Sequence, residues 1–355
     1  MSKRKSILDS NVLYTLIAII VGFIIGAIFL KIAGISPVVA YSKLIESVFS
    51  KSKYLFWTLT YASPLILTGL SVAFSFRTGV FNIGAEGQFV VGSLVACVLG
   101  IVLHLPPVLH AIVCMVAAAF AGFAWSYIVG ILKVKRGIHE VLSFIMFNWI
   151  AFYLSNYVVN LPSIHRTGSE ATKDIEDSAR ILFPEAIRNI TGCASANWGI
   201  VLAIVIAIIM WIIIEKTTLG YKLKAVGFNS SAAEYAGIDS NKSILTALGI
   251  SGALAGLGGA VQILGTAGRL SQFAGQEGFG FDGITVALIG SSSPLGCIFS
   301  GLFYGAMKYG GSKLNIVKAP SEVINIIMGC VVLFIAISII FKMILQGMFK
   351  KKEAK

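Results

Sequence analysis

The sequence predicts an all-α, polytopic membrane protein of about 8–10 transmembrane helices, with broken helices and inverted repeats among them. Three observations predict it. Of the 355 residues, 57% are hydrophobic and only 12% charged, and the mean hydropathy is +0.87. A soluble domain carries about 25% charged residues, and one compact core of this length could not bury so much apolar surface. Second, almost uncharged runs recur, the clearest at 12–30, at 202–214 with its flanks, and at 323–341. About 20 such residues cross a hydrocarbon core of roughly 30 Å. Third, basic residues sit in short clusters between apolar runs: Lys3-Arg4-Lys5, Lys133-Lys135-Arg136, Lys222-Lys224 and Lys350-Lys351-Lys352. Cytoplasmic loops carry such clusters, so the net charge of +12 points to membrane topology and not to nucleic acid.

The elements follow in order. The basic start places the N-terminus in the cytoplasm, and 12–30 runs outward as an anchor too long for a signal-peptide core. Residues 37–53 are too polar to span, but Tyr41, Leu44, Ile45 and Val48 fall at helical spacing, as in a helix lying on the outer interface. Residues 54–76 return inward with a kink expected at Pro64, and 89–105 go out again. Residues 108–132 come back to the Lys133–Arg136 cluster, and 141–159 go out. A polar outer stretch, 160–197, is followed by an inward span at 198–214 and a cytoplasmic loop. Residues 244–265 exit. The short runs 281–290 and 295–307, split by Ser291-Ser292-Ser293-Pro294, read as a hairpin of two tilted spans or two half-helices. Residues 323–341 end inside. The organisation expected is an anchor with its interfacial helix at 1–53, a permease-like core at 54–343 and a basic cytoplasmic tail at 344–355. Within the core, halves at about 54–160 and 198–343 flank the outer loop 161–197, and a cytoplasmic loop covers 216–243.

Cys97, Cys114, Cys297 and Cys330 fall within apolar runs, where a thiol is a small hydrophobe. Cys193 lies in the polar loop without a cysteine partner there, so neither disulfide framework nor metal site is expected.

An internal repeat stands out. Gly84-x-Glu86-Gly87-x4-Gly92-x2-Val95-Ala96 matches Gly275-x-Glu277-Gly278-x4-Gly283-x2-Val286-Ala287. In the topology above the first copy follows an inward span and the second an outward one, the pattern of inverted repeats whose broken segments line a central pathway. Ionisable groups near apolar spans are costly and mark pathways or polar interiors. Glu86, Asn82 and Gln88 cluster in one copy, and Glu277 and Asp282 with Gln276 in the other. They would either bond a polar solute or shape the broken helices by capping them. Asn148 and Gln262 lie within spans, where each needs a partner. Gly252-x3-Gly256 and Gly301-x3-Gly305 suit close helix packing.

Other patterns fail on context. Gly278-x-Gly280-x2-Gly283 lacks the βαβ unit of a dinucleotide site, and His139-Glu140 lacks the second His of a zinc protease. No glycine-rich loop ends in Gly-Lys-Ser/Thr, so the chain holds no ATP site of that kind. In the loop 219–238, Ser230 or Ser231 is placed to N-cap a short helix with Glu234 as in a capping box, and Gly237 to end it.

These residues resemble a known family. Gly79-Val80-Phe81-Asn82-Ile83-Gly84-Ala85-Glu86-Gly87-Gln88, Gly137-Ile138-His139-Glu140-Val141 with Met146 and Asn148, the loop 225–238, and Ala287-Leu288-Ile289-Gly290 with Ser293-Pro294-Leu295-Gly296 resemble permease subunits of bacterial ABC importers. The match is to the branched-chain amino acid and simple-sugar group, in its nucleoside-uptake branch, from about residue 64 to 340. His139 stands where that family often has Asn, and the loop 166–177 departs from its proline-rich pattern.

The resemblance implies about ten helices in a multi-pass protein of the cytoplasmic membrane, with both termini cytoplasmic. It implies half of a permease pair, identical or homologous, on ATP-binding subunits that bind the only ATP. It also implies an outer surface receiving a binding lipoprotein or periplasmic protein, and a small polar solute. The helix bearing Ala232, Ala233, Glu234 and Gly237 would couple to the ATPase, and no cofactor or metal belongs to this chain. A simple sugar such as ribose or galactose is the alternative solute. An ion-coupled secondary transporter would need mid-span carboxylates, and a membrane-embedded enzyme would need a catalytic constellation that the sequence lacks.

Overall fold

The computed structural model describes residues 11–317 and 322–337; the basic clusters at 3–5 and 350–352, the end of the last expected span and the tail lie outside them. Among the described residues fourteen α-helices run in chain order: α1 (Asn11–Ile32), α2 (Pro37–Phe49), α3 (Ser52–Phe76), α4 (Ala85–Val102), α5 (Leu109–Arg136), α6 (Glu140–Val159), α7 (Glu185–Thr191), α8 (Gly199–Lys216), α9 (Thr218–Phe228), α10 (Ser230–Tyr235), α11 (Ser240–Gln262), α12 (Phe279–Ile289), α13 (Pro294–Gly311) and α14 (Glu322–Ala336). Among the described residues the only β pairing is three isolated antiparallel bridges, all involving the stretch 165–197. Seven of the helical segments are long and apolar enough to cross a membrane, and Phe279–Ile289 and Val323–Ile335 are shorter apolar helices. The chain is an all-α, multi-pass membrane protein.

Its described residues divide into two compact units, those up to 51 with those from 307 onward, and 52–306. In the first, α1 packs on α14 through small residues. A Cβ on Gly22 would meet the Val331 backbone at 2.9 Å, and one on Gly26 the Ile327 side chain at 2.5 Å. Tyr41 of α2 donates its hydroxyl to the Phe23 carbonyl at 2.7 Å.

In the larger unit α3, α4 and α11 are central. The apolar window of α3 is 83% buried, whereas those of α5 and α8 are 28% buried, which leaves the latter faces for lipid. Helices attract one another in lipid mainly by close packing, and glycine supplies it here. Gly252 backs onto Gly122, and Gly256 onto Gly92 and Ala118; Gly301 and Gly305 back onto Ile66 and Ala62.

Pro64 sits inside α3 without ending it. A proline removes the N–H that would reach the carbonyl four residues earlier. Here that carbonyl, of Thr60, accepts the Ser63 hydroxyl at 2.9 Å instead.

Two boundaries differ from the sequence expectation. The expected span 89–105 begins four residues earlier, at Ala85, so Glu86 and Gln88 lie inside α4. The loop 216–243 is largely helical, comprising α9, α10 and the start of α11. The expected hairpin resolves into the 11-residue α12 and the longer α13, joined at Ser291 and Ser292, both left-handed at φ 52° and 51°.

Candidate functional site: a paired helix break

After α3 the chain turns back into the bundle before α4 begins. Val80 donates its N–H to the Ser75 carbonyl, and the Asn82 amide reaches Ser71 of α3 and Ser251 of α11 at 3.3 and 2.6 Å. From this level α4 rises to the end where Gly100 packs on Ile175. On the other side, α11 passes through a π-helical turn, Ile263–Ala267, and the left-handed Gly268. An extended segment leads back to α12, which descends along α3: Gly283 lies against Thr68, Val286 against Gly69, and Ser292 beside Arg77. Thus α4 and α12 start at one level inside the bundle and leave in opposite directions.

Their N-termini touch. A Cβ on Gly280 would overlap the backbone of Glu86, and Phe89 stacks on Phe279 at 5.0 Å. Helix N-termini expose unpaired N–H groups and a positive dipole end. Glu86 answers both: its two carboxylate oxygens accept the N–H groups of Gly278 and Gly280, each at 2.7 Å. The first turn of α4 has its own partners. The Gly84 N–H donates to Asn82 Oδ1 at 3.0 Å, and the Gly87 N–H to Asn148 Oδ1 at 2.9 Å. Asn148 Nδ2 donates to the Ile83 carbonyl at 3.1 Å. Asn82 and Gln88 exchange two amide hydrogen bonds, both 2.9 Å.

The structure therefore brings Asn82, Glu86, Gln88 and Asn148 together, all buried, with these hydrogen bonds met inside the protein. The other three site candidates border this group without joining its hydrogen bonds. Gln262, half-buried, ends α11 where the π turn begins. Asp282 is half-buried in the first turn of α12 and accepts the Tyr304 hydroxyl at 2.5 Å. Glu277 is exposed and precedes the left-handed N-cap Gly278. Glu86 and Glu277, paired in the repeat, are thus unlike: one lies within a helical turn, the other outside it. Of the glycines that imitate a dinucleotide motif, Gly280 and Gly283 form the contact strip of α12, and Gly278 is its left-handed N-cap.

Two parts of the site carried weaker sequence signals. Asn156, two turns beyond Asn148 on α6, clamps the extended segment: its amide donates to the Phe273 carbonyl at 2.9 Å and accepts the Phe273 N–H at 2.8 Å. An amide in an apolar helix was the available clue. Ser71 and Ser251 have no recognisable pattern, and only tertiary packing joins them.

At the opposite end of α12 lies the short helix α10. Asn229, and not Ser230 or Ser231, is its N-cap: its Oδ1 accepts the Ala232 N–H at 2.9 Å. Glu234 is then too far along the helix for a capping box. Gly237 is left-handed at φ 79° and ends the helix by donating to the Glu234 carbonyl. Ala233 is buried against Val226 and Ile238, while Ala232, Glu234 and Gly237 are exposed. Phe228 and Tyr235 are exposed by 91% and 95%. A cleft of about 350 Å³ opens beside α10, lined by Thr78, Gly79, Lys133, Gly227, Phe228 and Asn229 among others. Among the described residues no cluster of His, Cys, Asp and Glu could hold a metal ion.

A glycine-tight multi-pass bundle with paired helix breaks is the build of a solute permease. Residues 54–336 match the family model described as the permease component of branched-chain amino acid transport systems, and the chain belongs to that family, a transporter subunit rather than an enzyme. It is 40% identical to the guanosine ABC transporter permease protein NupP of Bacillus subtilis, over 97% of this chain and 98% of that one. It is 33% identical to the nucleoside ABC transporter permease protein NupB of Lactococcus lactis, over 97% and 94%. It is 30% identical to the glucose ABC transporter permease protein TsgB13 of Haloferax volcanii, over 92% and 87%. No solved structure matches the chain.

Proposed function

We propose that this chain imports nucleosides as the permease subunit of an ABC transporter in the cytoplasmic membrane, with both termini cytoplasmic. The observation that carries the reading is 40% identity, across nearly the whole of both chains, to a guanosine permease. Relatives named as permeases occur in pairs in one organism, as NupP with NupQ and NupB with NupC. This supports a second, homologous permease as partner. ATP-binding subunits would dock on α10 through Ala232, Glu234 and Gly237, with Ala233 anchoring the helix to the bundle. An extracytoplasmic binding protein would deliver solute to the face bearing residues 160–198.

In this reading Asn82, Glu86, Gln88 and Asn148 hold the break between α4 and α12. Gln262, Glu277 and Asp282 lie along the extended segment and its flanking turns, where solute would pass. Uncharged polar groups and aromatic rings such as Phe273 and Phe279 suit a solute that stacks and hydrogen-bonds. A sugar is the second reading, favoured by the 30% identity to a glucose permease.

The test is uptake of radiolabelled guanosine and of ribose in cells carrying the complete transporter, with the ATPase intact or inactivated. ATPase-dependent guanosine uptake is expected. Uptake that survives ATPase inactivation would overturn the importer reading, and ribose uptake without guanosine uptake would move the substrate to sugars.

A further inference from the structure

We infer that Arg77 is the positioning residue that joins the short helix α10 to the paired helix break, so that movement at one is delivered to the other. The inference rests on the permease reading above.

Three elements converge on Arg77. It directly follows α3, whose last residue is Phe76, and so belongs to the turn that leads back to Asn82 and α4. Its backbone lies against the end of α9: a Cβ on Gly227 would overlap the Arg77 carbonyl and meet the Gly79 nitrogen at 3.1 Å. Gly79, left-handed at φ 74°, approaches the Gly227 Cα with a space of only 3.4 Å for a Cβ of its own. Backbone packed on backbone has no side-chain slack to absorb a displacement. Gly227 is followed by Phe228 and by Asn229, the N-cap of α10, so a push on α10 reaches Arg77 within three residues.

The side chain carries the link onward. Arg77 Nε donates to the Ser292 carbonyl at 3.0 Å, across 215 positions of sequence. Ser291 and Ser292 are consecutive non-glycine residues in the left-handed region, a conformation held only where its surroundings impose it. The turn is braced from its own side by Gly290, whose Cβ position falls 2.8 Å from the Cys297 nitrogen, and from outside by Arg77. From this turn α12 runs back, through Val286 on Gly69 and Gly283 on Thr68, to the N-terminus bound by Glu86. The route is contiguous: α10, Gly227, Arg77, Ser292, α12, Glu86, α4. Coupling between distant sites is carried by such packed and hydrogen-bonded elements when they have alternative arrangements. A strained turn, closed by the backbone N–H groups of Ser291, Ser292 and Ser293 and tied to the end of α3 by the Arg77 donor, is an element that can change arrangement.

The experiment measures solute uptake and ATP hydrolysis together in proteoliposomes containing the complete transporter. In Arg77→Ala, uptake per ATP hydrolysed is expected to fall by about fivefold or more, the lower end of allosteric couplings, while binding-protein-stimulated hydrolysis is retained. Arg77→Lys keeps the charge but lacks the Nε donor, and an intermediate ratio is expected. Gly227→Ala disturbs the same joint from the α9 side and should lower the ratio without touching the guanidinium. Should Arg77→Ala fail to assemble, the lysine and Gly227 variants decide by the same ratio. Uptake and hydrolysis falling in equal proportion, or an unchanged ratio in these variants, would overturn the assignment. Uptake independent of the ATPase would instead overturn the permease reading, so the two failures are distinguishable.

Discussion

Glu86 Oε2 accepts the N–H of Gly280 at 2.7 Å, between two helices that begin back to back inside the bundle. The same carboxylate takes the Gly278 N–H, so one side chain of α4 completes the first turn of α12. Glu86→Ala leaves the buried Gly280 donor unpaired, at about 1–3 kcal/mol, and the half-buried Gly278 donor with it. Glu86→Gln keeps one acceptor and loses the charge, and a smaller loss is expected. Melting temperatures of the detergent-purified complex should rank wild type above Gln above Ala; equal values for all three would remove the capping role.

Gly280→Ala tests the contact beneath that bond. Its Cβ would overlap the Glu86 backbone, which cannot yield as a flexible side chain would. Overpacking costs about 1–3 kcal/mol where side chains can move, and more where they cannot. Reduced accumulation in membranes is expected, whereas Gly275→Ala, with open space around its Cβ position, should accumulate normally.

The Asn82–Gln88 amide pair gives a double-mutant cycle. Both side chains are fully buried and exchange two hydrogen bonds. Single changes to Ala each orphan the partner, so the double variant should lose less than the sum of the two singles, by about 0.5–3 kcal/mol. A coupling energy near zero in denaturant titrations would show that the pair contributes nothing as a unit.

The Asn229 cap sets the stability of α10. Asn229→Ala should cost about 1 kcal/mol locally and lower ATP-driven uptake, while Asn229→Asp, which keeps the acceptor for the Ala232 N–H, should leave it near wild type. Proteolytic cleavage rates within 229–237 would report the loosening directly. A normal rate in Asn229→Ala would place the stability of α10 elsewhere.

On the opposite face, Glu176 lies with Oε1 2.5 Å from His104 Nδ1. That hydrogen bond, with help from Ser178, holds the Glu176 carboxyl below the usual carboxylate range. A folded-state pKa below the unfolded one stabilises fully above the unfolded value, about 4.3 for Glu, and the contribution is lost as pH falls through the folded value. Hydrogen exchange of residues 175–179 should therefore quicken as pH drops below about 4, after correction for intrinsic rates. Glu176→Gln should abolish that dependence.

Much of the site was legible because its chemistry is local. Asn82, Glu86, Gln88 and Asn148 stood out as amides and a carboxylate inside apolar sequence, where polarity is expensive. What they bond could not be read, since Gly278 and Gly280 lie almost two hundred residues from Glu86. The repeat suggested equal roles for Glu86 and Glu277, but the helix begins before the first and after the second. A serine next to an exposed helix invited the N-cap role that the structure gives to Asn229, one residue earlier, because capping depends on where the backbone leaves the helical region.

The sequence by itself determined that this protein is helical and crosses a membrane several times, and that its glycines mark helix contacts. Apolar runs without charge have no other low-energy environment, and in lipid a chain must satisfy its backbone hydrogen bonds within each segment. Tertiary structure alone decided that two half-helices meet at Glu86 and that Arg77 bridges α9 to the Ser291–Ser292 turn. Those contacts join segments far apart in the chain, and whether a buried polar group is capped, paired or left open depends on which backbone folding brings within 3 Å of it.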